Sequence, residues 1–141
     1  MIDNISYLFV YGTLLDQRNQ FGAYLSANCI FYADGNFSGE LYDTGEYPGA
    51  VAMPGSNSKV YGKIFSVHNT DEVFKQLDEY EGYGPGEIQP NLFIRNLMQI
   101  ETNSGPLECW VYLYNWPVND FVQITTGSYA QYISTGRNSQ Y

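Results

Sequence analysis

The chain has 141 residues, with 15 acidic against 6 basic side chains and a net charge of −9. That length suits one domain with its own core, and the acidic balance argues against nucleic-acid binding, which needs clustered lysine and arginine. With 44% hydrophobic and 15% charged residues the composition is not that of a disordered chain. Its unusual feature is 14 Tyr, 8 Phe and 2 Trp, or 17% aromatic residues.

Cys29 and Cys109 are too few for a disulfide framework and too far apart for a metal-binding pair, so they read as buried thiols. The opening Met1-Ile2-Asp3-Asn4-Ile5-Ser6 lacks a basic region followed by an apolar run. No stretch approaches ~18 apolar residues. Neither a signal peptide nor a membrane span is therefore expected, and the expected compartment is the cytoplasm. A single domain over residues 1–141 is expected, with an ordered core over about 7–135 and a polar tail at Asn138–Tyr141.

Tyr7-Leu8-Phe9-Val10-Tyr11 is short, aromatic and β-branched, and stops at Gly12, which predicts a buried strand. Phe21, Tyr24 and Leu25 share helical spacing within 18–27, a weak helix with Gly22 against it. Residues 28–67 read as four strands: 29–32, 37–42, 47–53 and 59–67. The turns between them are expected at Asp34-Gly35, Thr44-Gly45 and Pro54-Gly55. Asn69 with Glu72 suggests a capping box, and Val73, Phe74, Leu77 and Tyr80 then form an amphipathic stripe that Gly82 ends. Residues 92–115 predict a hairpin turning at Asn103-Ser104-Gly105-Pro106, and Ser128–Ile133 a short closing helix. The sum is a strand-rich α+β domain whose glycines and aromatics suit a small curved barrel.

The chemistry has few candidates. His68 is the only histidine and stands without a nucleophile or acid beside it in sequence. One histidine and two separated cysteines do not make a zinc site, and no phosphate-loop glycine pattern is present. Carboxylates remain, and the helix ranks them. At about 100° per residue the apolar stripe is centred near 30° from Val73, with Glu81 near 80° inside it, Asp78 at its edge near 140° and Glu79 opposite near 240°. An inward carboxylate must be paired, hydrogen-bonded or protonated, and burial raises its pKa towards the range of a general acid or base. Alternatively, the helix frays after Tyr80 and Glu81 reaches solvent. The second candidate is Tyr11-Gly12-Thr13-Leu14: a strand stopping at glycine frees backbone N–H groups that can hold an anion, with a plain strand-to-loop turn as the alternative.

These elements together resemble the γ-glutamylcyclotransferase-like family, also called avirulence-induced-gene-like. The matching segments are Leu8-Phe9-Val10-Tyr11-Gly12-Thr13-Leu14, Gly39-Glu40-Leu41-Tyr42-Asp43, Gly45-Glu46-Tyr47-Pro48-Gly49, Val60-Tyr61-Gly62 and Leu77-Asp78-Glu79-Tyr80-Glu81-Gly82, followed by Phe93-Ile94-Arg95 and Trp110-Val111-Tyr112-Leu113-Tyr114. They cover roughly residues 7–130 in order. The resemblance implies a small mixed β-barrel with flanking helices. It also implies an enzyme that cyclises a γ-glutamyl amine, amide or peptide to 5-oxoproline and releases the amine, with neither cofactor nor metal. Glu81 maps to the family's catalytic glutamate and Tyr11, Gly12, Thr13 and Leu14 to its substrate loop. Arg95 stands as a substrate-binding candidate beside a structural reading. Phe93 departs from the family, where tyrosine is common. The expected partner is a small γ-glutamyl compound, without nucleic acid or membrane. Two other readings share the sequence: an inactive domain that binds a small carboxylate, and a sugar-binding barrel displaying Trp110, Tyr112, Tyr114 and Trp116.

Overall fold

A computed structural model describes residues 5–12, 20–45 and 47–134. In chain order the elements are β1 (Ser6–Val10), α1 (Gln20–Asn28), β2 (Cys29–Asp43), β3 (Pro48–Ala52), β4 (Lys59–Val67), α2 (Thr70–Glu81), β5 (Phe93–Thr102), β6 (Gly105–Tyr114), β7 (Val122–Gln123) and α3 (Tyr129–Ser134). Five strands close into a barrel in the ring order β2-β4-β1-β6-β5, with β5 returning to β2 at Asn36↔Glu101. Among the described strands only β1 and β6 run parallel, with Leu8 opposite Trp110 and Phe9 opposite Val111.

The expected β-barrel with flanking helices is thus present, and the burial pattern explains why β1 reads as an unbroken apolar run. Phe9 and Tyr11 face the barrel core with Phe37, Val60, Ile64, Ile100 and Val111. Leu8 and Val10 face the other way, into a second core with Leu25, Val73, Phe74, Leu77 and Tyr112. A strand covered on both faces has no reason to alternate. Cys29 and Cys109 are buried free thiols, one in each core.

One expectation fails. The strands expected at 29–32 and 37–42 are a single 15-residue strand, β2, and Asp34-Gly35 is not a turn. Gly35 lies directly opposite Gly62 of β4. A Cβ on Gly35 would come within 2.6 Å of Ile100 Cγ2, and one on Gly62 would strike the Val10 carbonyl. These glycines let neighbouring strands approach across a tight barrel, a role that in sequence looks like turn chemistry. A bulge between Phe31 and Ala33 adds to the bend. Beyond Ser38, β2 leaves the ring and pairs with β3 and β7, so it belongs to the barrel at one end and to a small second sheet at the other. The two-residue β7 was not foreseen.

The capping box also fails. Asn69 does occupy the N-cap of α2, but with φ −99° and ψ 69° its side chain makes no capping hydrogen bond. Those dihedrals lie off the extended geometry that aims a cap side chain at the first amides. Glu72 instead accepts a hydrogen bond from Gln76 Nε2 at 3.3 Å.

Substituting Gly62→Ala is expected to lower the unfolding free energy by about 1–3 kcal/mol, because the obstacle is backbone on a paired strand. Gly86→Ala, where an added Cβ meets nothing within 4 Å, should change it by less than ~0.5 kcal/mol. Urea unfolding of the two variants checks both; equal effects would refute the close-approach account.

Candidate functional site

A cavity of about 360 Å³ opens where the end of β1, the start of β3 and the end of α2 meet. Its walls are Phe9, Val10, Tyr11 and Gly12; Tyr47 and Pro48; Tyr80 and Glu81; and Leu92, Phe93 and Tyr112. Glu81 is the one charged side chain among these described lining residues.

The helix end puts Glu81 there. Val73, Phe74 and Leu77 are buried against the barrel, and the same face continues to Glu81, which is only partly exposed, while Glu79 is exposed. The helix does not fray. Gly82 takes the left-handed conformation, φ 72° and ψ 36°. Its N–H bonds to Glu79 O, and the Tyr83 N–H bonds to Asp78 O at 2.9 Å. This paired arrangement ties down carbonyls that a helix end leaves orphaned. Glu81, the last helical residue, is thereby held in a fixed orientation. Burial pushes its carboxyl up from 4.5 to about 8, with the nearby charge of Asp78 adding to the effect.

Tyr11 and Gly12 lie at the cavity as expected, but the Tyr11 hydroxyl has a structural task. It donates to the Tyr112 carbonyl at 2.6 Å and accepts the Ala50 N–H at 3.2 Å, tying β1 to β6 and β3. Burial first, then the charge of Glu81, pushes this phenol well above its ordinary value. Gly12 sits against Pro48, where a Cβ would fall 2.6 Å from Cγ. Thr13 and Leu14 lie outside the described residues.

Arg95 is not brought into the cavity. Its Nε donates to Asp78 Oδ1 at 2.8 Å and its Nη2 to Asp78 Oδ2 at 3.0 Å. Phe74 and Trp110 cover the guanidinium, with ring centres 4.4 and 4.5 Å away. A partner carboxylate and two ring faces satisfy it where it stands, which corrects the substrate-binding assignment in favour of the structural alternative.

Sequence reading gave Asp78 no role, yet it also accepts the Tyr112 hydroxyl at 2.6 Å. Its only signal was its place three residues before Glu81, at the edge of the stripe. Tyr47, Pro48, Tyr80, Leu92, Phe93 and Tyr112 were likewise not foreseen as walls. Phe93 is 5% exposed and packs on Tyr47 and Tyr114 with ring centres 5.7 and 5.5 Å away. The aromatic display expected of a sugar-binding surface is absent at two of its four positions, since Tyr112 and Tyr114 are 4% and 6% exposed. His68 lies outside the cavity, 3.3 Å from Ser66 Oγ. Among the described residues no three His, Cys, Asp or Glu side chains gather as a metal site.

Comparison with known proteins gives a consistent picture. Residues 8–131 match the family described as gamma-glutamyl cyclotransferase, AIG2-like. The chain is 31% identical over 125 residues to the gamma-glutamylcyclotransferase family protein ytfP of Citrobacter rodentium, covering 86% of this chain and 93% of that protein. The solution structure of ytfP from Escherichia coli superimposes with a TM-score of 0.62 at 27% identity, over 87% of this chain and 95% of that one. A crystal structure of an AIG2-like protein from Mus musculus shares the fold, with a TM-score of 0.70 at 23% identity, over 89% of this chain and 88% of that one.

The raised carboxyl has a consequence for stability. The folded protein retains a proton on Glu81 that the unfolded chain releases above about pH 4.5, so this group erodes stability as pH rises from about 4.5 to about 8. Glu81→Gln removes that penalty. The melting temperature of Glu81→Gln minus that of the parent protein should therefore widen steadily from pH 5 to pH 8. Calorimetry across that range checks it, and a pH-independent difference would mean that the carboxyl titrates normally.

Proposed function

Because this chain belongs to the gamma-glutamyl cyclotransferase, AIG2-like family, we propose that it cyclises a γ-glutamyl compound to 5-oxoproline with Glu81 as the general acid and base. The observation that carries the reading is a lone carboxyl, enclosed by aromatic walls and pushed to about 8, facing the cavity where β1 ends.

The substrate supplies its own nucleophile. Its α-amine attacks the γ-carbonyl carbon, a C–N bond closes the five-membered ring, and the bond to the departing nitrogen breaks. The α-nitrogen loses a proton, the leaving nitrogen gains one, and no water is consumed. Holding the two ends of one molecule together is the larger part of the task, since the reaction is already intramolecular. Glu81 takes the proton from the α-nitrogen and delivers it to the leaving nitrogen. A carboxyl near 8 matches the proton affinity of an α-amino group, about 8, whereas an ordinary glutamate would be too weak a base. Backbone N–H groups of the loop that starts at Tyr11 and Gly12, running through Thr13 and Leu14, take the substrate carboxylate.

The walls also bear on the leaving group. The Tyr11 and Tyr112 hydroxyls are engaged by the protein and Phe93 has none, so these three side chains offer ring surface. Such walls favour an amine with an apolar portion over one carrying a second carboxylate, which would also meet Glu81. A buried carboxyl is an expensive ornament in a domain that merely binds a small carboxylate. Its retention favours catalysis over binding alone.

The test is 5-oxoproline release from γ-glutamyl derivatives of apolar amines, ε-lysine and amino acids. Glu81→Gln should lose at least a hundredfold in kcat, while Glu79→Gln, altered on the exposed face, should stay within about twofold. In the parent protein kcat/KM should rise with pH towards about 8, as Glu81 gives up its proton. Undiminished turnover by Glu81→Gln, or release from no substrate, would refute the proposal.

A further inference from the structure

Asp78 lines no part of the cavity, yet it holds the most heavily bonded carboxylate near it. Its two oxygens receive Arg95 Nε at 2.8 Å, Arg95 Nη2 at 3.0 Å and the Tyr112 hydroxyl at 2.6 Å. Arg95 and Tyr112 are direct cross-strand partners in the β5–β6 register, so both reach the helix from one face of the sheet. The Arg95 and Asp78 side chains are only 18% and 21% exposed. Tyr112 then joins this cluster to the site: it lines the cavity, and its carbonyl accepts the Tyr11 hydroxyl.

We propose that Asp78 is a positioning residue for Glu81: clamped by Arg95 and Tyr112, it fixes the last turn of α2 to β5 and β6 and sets its carboxylate one turn behind the Glu81 carboxyl. The consequence for turnover rests on the acid–base reading of Glu81 above; the coupling between the two carboxyls does not.

The titratable groups around Glu81 limit what else could produce such coupling. Tyr11 from the end of β1, Tyr112 from β6, Tyr80 from α2 and Tyr47 from the segment before β3 line the cavity with it. Burial pushes the Tyr11 and Tyr112 phenols far above neutrality, so both stay uncharged. Arg95 on β5 lies beyond the cavity wall, paired with Asp78. Asp16 and Arg18 lie outside the described residues. Among described groups, then, Asp78 holds the negative charge and Arg95 the positive one. A negative neighbour makes Glu81 hold its proton more tightly, and a positive one loosens it. Removing the Asp78 charge must therefore lower the Glu81 midpoint while a retained carboxylate there must not, a pattern that simple loosening of the fold would not follow.

The experiment is a carbon-13 NMR titration of the Glu81 carboxyl in the intact chain, assigned by its loss in Glu81→Gln. Asp78→Asn, which keeps the shape and removes the charge, should lower the Glu81 midpoint by about one pH unit or more. Asp78→Glu, which keeps the charge, should leave the midpoint close to that of the parent. In turnover, Asp78→Asn should move the acid limb of the pH profile down by the same interval. Its kcat should fall roughly tenfold while KM stays within about twofold, since a weaker base transfers protons more slowly. A folded Asp78→Asn protein with the parent midpoint would overturn the proposal. If Asp78→Asn does not fold, the equally uncharged Asp78→Ser decides, and an unmoved midpoint there overturns the proposal equally. Absence of 5-oxoproline release by the parent protein would sink the reading of function, and the NMR midpoints would still judge Asp78.

Discussion

Enclosing one carboxyl among aromatic rings is the constraint to which the rest of this structure answers. Left to itself, the last turn of a helix frays, and a glutamate there turns to water. Here the paired hydrogen bonds around Gly82 close the helix end, and Asp78 is tied to two strands three residues earlier. The Tyr11 hydroxyl holds the facing strand in place through two backbone groups. Each contact is ordinary in strength, about 1 kcal/mol for a neutral hydrogen bond and more where a charge takes part. Together they prevent Glu81 from escaping the environment that shifts its proton affinity.

The barrel supports this arrangement by being narrow. Its closure brings glycines into register across β2 and β4, and packing covers β1 on both faces. Phe9 and Tyr11 of the inward set reach the cavity wall as well as the core. The cavity lies at the margin, where β1 leaves the ring and β2 has already passed to its second sheet. The site is thus a product of where strands end, and the residues that shape it come from segments far apart in sequence.

That origin decides what was legible beforehand. The amphipathic stripe from Val73 to Tyr80 located α2 and pointed Glu81 inwards, because a helix has one period and the stripe reports it. The run from Tyr7 to Tyr11 located β1 for a similar reason. By contrast, Gly35 looked like a turn, since nothing local distinguishes a glycine that breaks a strand from one that lets two strands approach. Asp78, Arg95 and Tyr112 looked unrelated. Their meeting depends on the β5–β6 register and on how α2 lies across it, and neither is written in any window of neighbouring residues. The assignment of Arg95 to substrate failed at this point: its carboxylate partner was 17 residues away.

The cavity also divides its walls by origin. Glu81, Tyr11, Phe93 and Tyr112 are anchored in or beside barrel elements, whereas Leu92 belongs to the irregular stretch between α2 and β5. There Asn91 donates to Gly84 O and Ile88 O and accepts from the Gly84 N–H, and Gln89 donates to Gly84 O and Glu87 O, so the stretch is braced internally by two side chains. Substitutions in that stretch would reshape one side of the cavity while leaving the strand pairing and Glu81 in place. The stretch that carries Leu92 is also tied to the segment after β6, where Asn115 bonds to the Asn91 and Leu92 carbonyls and Trp116 to that of Pro90, so this side of the cavity is shaped by bonds outside the strand ladders.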